Sequence, residues 1–298
     1  MAYTLKQLRY YVTAAELGSI SKATHKLHIS QPSISAAIAN LEAEFGINFF
    51  VRHHAKGVSL TQAGARFFRA ARQLLADADR LDQYVTELSQ EISGSVEVGC
   101  ILTLAPLIMP SVIAGFLDRH SNVRISCREL DHGAMVDGLH NGELELAVMY
   151  DLPITDDLEF IQIAQFPPYA VVPVGHRLQE RGEASLQELA DDPMILLDLP
   201  HTAEYFQAIF LQHGIRPNIF HRTSSPHMVR SLVANGLGYS LLNAPLRNDK
   251  SLDGKPIRRL ALTNEIPPLK VGVVTLRDQR STRVAREFLD YMMESQIL

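Results

Sequence analysis

Three short stripes of apolar residues, each at helical spacing, occupy the first 45 positions. Leu5, Leu8, Val12 and Ala15, with Tyr11 beside them, predict a helix over residues 5–17 that Gly18 ends. Ile20, Ala23 and Leu27 predict a second, capped by Ser19 or Ser21. After the turn His28-Ile29, Ser30 caps a third helix with Pro32 in its first turn. Ile34, Ile38, Leu41 and Phe45 give that helix a buried stripe, and Gly46 closes it. Phe49-Phe50-Val51 and Val58-Ser59-Leu60 then read as strands around a basic turn, residues 52–57.

A longer pattern follows. Thr61 caps a helix expected to run to about residue 90, in which Phe67, Ala71, Leu74, Ala78, Leu81, Val85, Leu88 and Ile92 alternate at spacings of 4 and 3. That is a heptad seam, and its small Ala71 and Ala78 let a second helix approach. The plainer alternative is a helix lying on its own domain. From Ser95 onward strand and helix patterns alternate. Strands are predicted over 95–101, 123–130 and 144–149, with helices over 104–119 and 133–141. A second set covers 170–173, 194–197, 202–213, 218–222, 226–235 and 239–242, before a return strand at 269–276 and a helix at 282–294. Such alternation implies parallel βαβ units. Two crossings, near 161–166 and 262–268, are expected to hinge two lobes.

The 298 residues are enough for two or three domains. With 46% apolar and 20% charged residues, the chain is neither disordered nor a disulfide scaffold. No run of about 18 apolar residues predicts a membrane span. The start shows no secretory pattern, so a reducing cytoplasm is the expected location and Cys100 and Cys127 are expected as unpaired core thiols. The net charge of −5 conceals an asymmetry: residues 1–72 hold nine Lys or Arg against three acids, a net +6, which leaves −11 on the rest. A basic head on an acidic body points to a polyanionic partner for the head.

Two helices joined by a tight turn, the second opening with small polar residues, have helix-turn-helix geometry. Gln31 offers the bidentate donor and acceptor that adenine requires, and Ser33 and Ser35 can reach bases or phosphates. The strand pair reads as a wing that presents Arg52 and Lys56 to phosphate or the minor groove. A small helical adaptor, whose Ser and Gln merely cap, is the alternative.

The runs Gly18-Ser19-Ile20-Ser21-Lys22-Ala23, Leu27-His28-Ile29-Ser30-Gln31-Pro32-Ser33-Ile34-Ser35, Leu41-Glu42, Phe45-Gly46, Phe49-Phe50-Val51-Arg52 and Leu60-Thr61-Gln62-Ala63-Gly64 keep the spacings of a known pattern over about sixty residues. They resemble the LysR-type transcriptional regulators. The resemblance implies an all-α winged helix-turn-helix, a long linker helix, and an α/β two-lobed effector domain of periplasmic-binding-protein-like architecture. The expected division is 1–60, 61–92 and 93–298, with one lobe from about 93–163 and 267–298 and the other from about 164–266. The resemblance carries DNA contact onto Ser30, Gln31, Pro32, Ser33, Ser35 and Arg52. It also implies an antiparallel helix pairing in a homodimer or homotetramer. A two-fold dimer would read double-stranded DNA as an interrupted inverted repeat. RNA polymerase is a further candidate partner. The chain departs from the pattern at Thr24, where Ala is common, at His53-His54, and at Gly57, where Arg is frequent.

Ligands of open α/β sheets sit at carboxyl strand ends near helix N-termini. Leu102-Thr103, His201-Thr202 and Ser224-Ser225-Pro226 put hydroxyls at such places. Together they nominate Thr103, His201, Thr202, Ser224 and Ser225 for a small effector, most simply a carboxylate. His132 and Tyr150 join them from neighbouring strand ends, with Met149, Leu199 and Phe166 as apolar walls. Ordinary capping and core packing are the alternatives at each position. No cofactor is expected and no enzyme motif survives. Gly236-Leu237-Gly238 lacks the third Gly of a dinucleotide fingerprint, Gly254-Lys255-Pro256 lacks the earlier Gly of a phosphate loop, and Ser240 lacks the flanking glycines of a nucleophile elbow. His25/His28 and His53-His54 have no acidic or Cys companions at metal spacing. The leading expectation is an effector-responsive regulator; the alternative is a two-lobed solute-binding protein with an accessory helical head.

Overall fold

The computed structural model describes residues 3–53, 57–86, 92–245, 247–277 and 281–295, with the backbone alone at 52, 53 and 79–86. It divides into two compact units, Met1–Glu91 and Ile92–Leu298. In the first, α1 (Leu5–Glu16), α2 (Ile20–Leu27) and α3 (Gln31–Phe45) are followed by β1 (Phe50–His53), β2 (Gly57–Leu60) and α4 (Gln62–Thr86). Ser19 and Thr61 cap their helices as expected, and Thr4, not singled out in the sequence, caps α1. The Thr4 side chain accepts from the Gln7 amide, that of Ser19 from Lys22, and that of Thr61 from Gly64. Ser30 occupies the N-cap of α3, but its hydroxyl makes no cap bond and instead lies 2.8 Å from the Ser33 hydroxyl.

Leu8, Tyr11, Ile34, Ile38, Leu41 and Phe49 are buried together as this unit's core. The Tyr11 hydroxyl donates to the Gly64 carbonyl at 2.8 Å, and one Glu42 oxygen accepts from the amides of Phe49 and Phe50. Burial, with Glu42 adding to it, pushes the Tyr11 hydroxyl's pKa well up, so it stays a donor. Phe67 of α4 stacks on Phe49, with centroids 4.2 Å apart.

This packing changes the heptad reading of α4. Ala71 and Leu75 are buried within their own unit and Phe67 faces the same core, whereas Leu74 is exposed. The first two members of the expected seam are therefore occupied intramolecularly. Its last member, Ile92, packs on the core of the second unit; Leu88 lies outside the described residues.

The second unit begins with β3 (Gly94–Ile101), α5 (Ala105–Arg119), β4 (Val123–Leu130), α6 (His132–His140), β5 (Leu146–Tyr150) and β6 (Leu158–Phe166). It continues with β7 (Tyr169–Pro173), β8 (Glu183–Ala184), α7 (Leu186–Leu189), β9 (Pro193–Leu197), α8 (Thr202–Gln212), β10 (Asn218–Thr223), α9 (Pro226–Ala234), β11 (Ser240–Leu242), β12 (Ile257–Leu262), β13 (Leu269–Leu276) and α10 (Arg283–Glu294). One sheet has the order β4-β3-β5-β13-β6, parallel among the first three and antiparallel at β13 and β6. The other lobe holds the order β11-β7-β12-β8 and a parallel β10-β9 pair, joined by a Met194–Tyr239 bridge. The return strand β13 thus joins the first lobe, as the pattern predicts.

The first crossing differs from expectation. Residues 161–166 are strand, paired with β13 from Leu158↔Leu276 to Phe166↔Leu269. The chain leaves that sheet only at Pro167-Pro168, which cannot both continue a ladder. β8 and β12 have no counterpart in the expected elements. No described helix is long and apolar enough to cross a membrane.

Candidate DNA-reading face and effector cleft

His28 closes α2 in the left-handed region (φ 54°), turning the chain sharply toward α3. Ser30, Gln31, Pro32 and Ser33 are exposed together at the start of α3, and Ser35 is half-buried. The exposed face continues along Ala36, Ala39 and Asn40, which sequence reasoning did not single out. Small residues there leave room for a groove wall, and Asn, like Gln, can pair with adenine. The signal was readable: every residue between the buried Ile34, Ile38 and Leu41 on the far side had to face out.

Arg52 sits in β1 opposite Val58, and Lys56 lies outside the described residues. The wing returns over the α1–α2 turn. The Val58 amide donates to the Gly18 carbonyl at 2.9 Å, and Gly57 has φ +90°. A Cβ on Gly57 would stand 2.3 Å from that carbonyl oxygen, so the wing as seated here requires glycine at this place. Of the exposed acids nearby, Glu16 is engaged by Lys26 and Arg72 at 3.5 and 3.7 Å. It therefore does not oppose a polyanion strongly.

In the second unit a cleft opens between the lobes. Thr103, Tyr150, Leu152 and Leu269 come from one side; Leu197, Thr202, Tyr205, Phe206, Leu242, Asn243 and Ala244 come from the other. The space free of atoms within it, counted to where it opens to solvent, is about 360 Å³.

The hydroxyls of Thr103 and Tyr150 lie 3.2 Å apart. Asn243 donates to the Phe166 carbonyl at 3.1 Å and to the Tyr205 hydroxyl at 3.3 Å, tying the two lobes together. Burial pushes both the Tyr150 and Tyr205 hydroxyls above the ordinary tyrosine range.

Of the expected effector residues, Thr103, Tyr150 and Thr202 line this cleft. Thr202 is the first residue of α8, not its cap; the cap position is His201, whose side chain makes no cap bond and whose backbone is left-handed (φ 62°). His132 and His201 meet edge to face, with centroids 4.7 Å apart, a second contact between the lobes. The His132 Nε2–H donates to the Pro153 carbonyl at 2.9 Å, leaving the buried Nδ1 without a partner. Burial lowers the His132 pKa, with the His201 charge adding to it.

Ser224 and Ser225 do not line the cleft. Ser225 caps α9 through the Met228 amide, the ordinary role weighed against ligand binding. Met149 and Leu199 are core residues, and Phe166 contributes its carbonyl rather than an apolar wall. Leu152, Leu197, Phe206, Leu242 and Leu269 supply the walls instead.

Residues 5–65 match the family described as "Bacterial regulatory helix-turn-helix protein, lysR family", and residues 89–296 match "LysR substrate binding domain". The crystal structure of HinK, a LysR family transcriptional regulator from Pseudomonas aeruginosa, is 36% identical and covers 99% of both chains, with a TM-score of 0.67. The transcriptional regulator CysB of Haemophilus influenzae is 28% identical over 87% of this chain and 83% of its own. A full-length OxyR variant from Pseudomonas aeruginosa, 21% identical, shares the fold over 100% of this chain and 97% of its own, at a TM-score of 0.79. The helix-turn-helix match gives the basic head a role that the solute-binding alternative leaves unexplained. With family matches over both units and a full-length relative above 30% identity, the chain belongs to the LysR-type transcriptional regulators, built from a helix-turn-helix DNA-binding domain and an effector-binding domain.

Proposed function

We propose that this regulator reads an interrupted inverted repeat as a homodimer or tetramer, and that a small organic acid in the interlobe cleft resets how its heads engage DNA. Residues 1–60 read the operator, 61–92 link and pair the heads, and 93–298 sense the effector. Ser30, Gln31, Pro32, Ser33 and Ser35 contact the major groove, and Arg52 and Lys56 hold the backbone. Thr103, Tyr150 and Thr202 receive the effector's polar end, and His132 and His201 sit at the lobe contact beside it. RNA polymerase is the partner through which the outcome is read.

The observation that carries this reading is the cleft's double ancestry. Its wall comes from both lobes, and Asn243 donates across them. A ligand that touches both lobes binds one arrangement of them better than another and shifts their populations. Moving the balance from 1:99 to 99:1 takes about 5.5 kcal/mol of differential affinity.

The test is a footprint on the chain's own upstream DNA while organic acids are titrated. A footprint that lengthens, shortens or shifts at saturation supports the reading. One that never changes with a ligand known to be bound refutes it.

A further inference from the structure

The cleft has walls of hydrocarbon and neutral polar groups. Among the described residues, none that lines it carries a charge. The polar groups are the hydroxyls of Thr103, Tyr150, Thr202 and Tyr205 and the Asn243 amide. Both tyrosine hydroxyls stay protonated because burial opposes their ionisation. Four charged residues adjoin lining residues in sequence: Asp198, Glu204, Lys270 and, next to Tyr150, Asp151. Asp151 pairs with Lys270 at 4.0 Å and also accepts from the Lys270 amide. The pair is self-neutralising, and what Asp151 contributes at Tyr205 is negative.

No residue that lines the cleft is cationic. One negative charge can be shared among hydroxyl donors. A second has no counter-charge while the closing lobes strip its water, which is the costly situation for a buried ion. The room is narrow and mostly apolar, so a compact hydrocarbon body fits it.

We propose that the effector is a compact, mainly apolar molecule with one polar end, carrying no more than a single negative charge. Dicarboxylates and phosphate esters of the same body are excluded. This rests on the reading of the cleft as the effector site.

The test uses the full chain and calorimetric titration with a matched series: cyclohexanecarboxylate, its neutral carboxamide, the vicinal cyclohexanedicarboxylate and cyclohexyl phosphate. Thr202→Phe and Ala244→Phe, both at partly exposed positions, fill the cleft from separate elements. The expected result is binding of the monocarboxylate or the carboxamide, at least about tenfold tighter than either dianion, a difference of about 1.4 kcal/mol. That binding is lost in both variants.

A dianion that binds as tightly as the monocarboxylate, and is lost in both variants, overturns the charge class and leaves the cleft reading standing. Binding that survives in both variants overturns the cleft reading and this inference with it. Failure of both singly polar probes at millimolar concentration, with the wild-type chain folded, overturns the proposed class.

Discussion

Substituting Gly57 by Ala tests how the wing is held. At φ +90° an L side chain is strained, which costs about 1–3 kcal/mol. The added Cβ would also stand 2.3 Å from the Gly18 carbonyl oxygen. That is backbone, not the end of a flexible side chain, so the wing must lift. Lifting breaks the Val58–Gly18 bond of 2.9 Å, worth about 0.5–1.5 kcal/mol net. The expected cost is therefore about 1.5–4.5 kcal/mol, charged to the wing's docking rather than to the core. Hydrogen exchange read at the Val58 amide should show the lost protection directly. Affinity should fall alike for operator and random duplex, because the wing is expected to carry phosphate contacts and no base contacts. If G57A keeps Val58 protected and binds both duplexes as wild type does, the wing is not seated on Gly18.

Gln31→Ala should weaken operator binding by about 1–3 kcal/mol and leave random DNA nearly unaffected, as fluorescence anisotropy would show, whereas Arg52→Ala should weaken both and lower the salt slope by about one. Acid should destabilise the second unit through His132. Burial holds its native pKa below the ordinary value, so the unfolded chain protonates first as pH falls below about 6.5, and stability drops through that window. His132→Gln should flatten that part of a pH series of urea unfolding curves; an unchanged slope would assign the acid sensitivity elsewhere. Leu74→Glu should shift the chain toward monomer in light scattering without loosening the head, since Leu74 is exposed while Ala71 and Leu75 are the residues packed inside. Dimers that persist unchanged would move the pairing surface off this part of α4.

The head was readable because its determinants are local. Ile34, Ile38 and Leu41 lie within two turns of one helix, and Ser19 and Thr61 each cap within three residues of their partners. Periodicity identifies a face but not what covers it. The same spacing that starts a heptad at Phe67 and Ala71 also continues inward to Leu75, and only the tertiary core shows that α1 and Phe49 occupy that face. β12 escaped notice because Arg258 and Arg259 break its alternation, although Ile257 and Leu260 are fully buried.

The cleft was legible only in part, and the reason lies in what joins it. Thr103, Tyr150 and Thr202 stand at strand ends or helix starts, where fold rules direct attention. Tyr205 and Asn243 are 38 positions apart, inside an apolar helix and after an apolar strand, and become polar cleft groups only by bonding to each other and to Phe166. No local pattern marks such a pair. The misplaced Ser225 shows the converse. At α9 the Ser225 hydroxyl accepts from the Met228 amide, which turns it toward its own helix. At α5 and α8 no side chain caps the helix, so Thr103 and Thr202 remain available to the cleft. A cap bond thus orients such a hydroxyl toward the helix's own amides, and whether it forms depends on which residue the chain places at the cap.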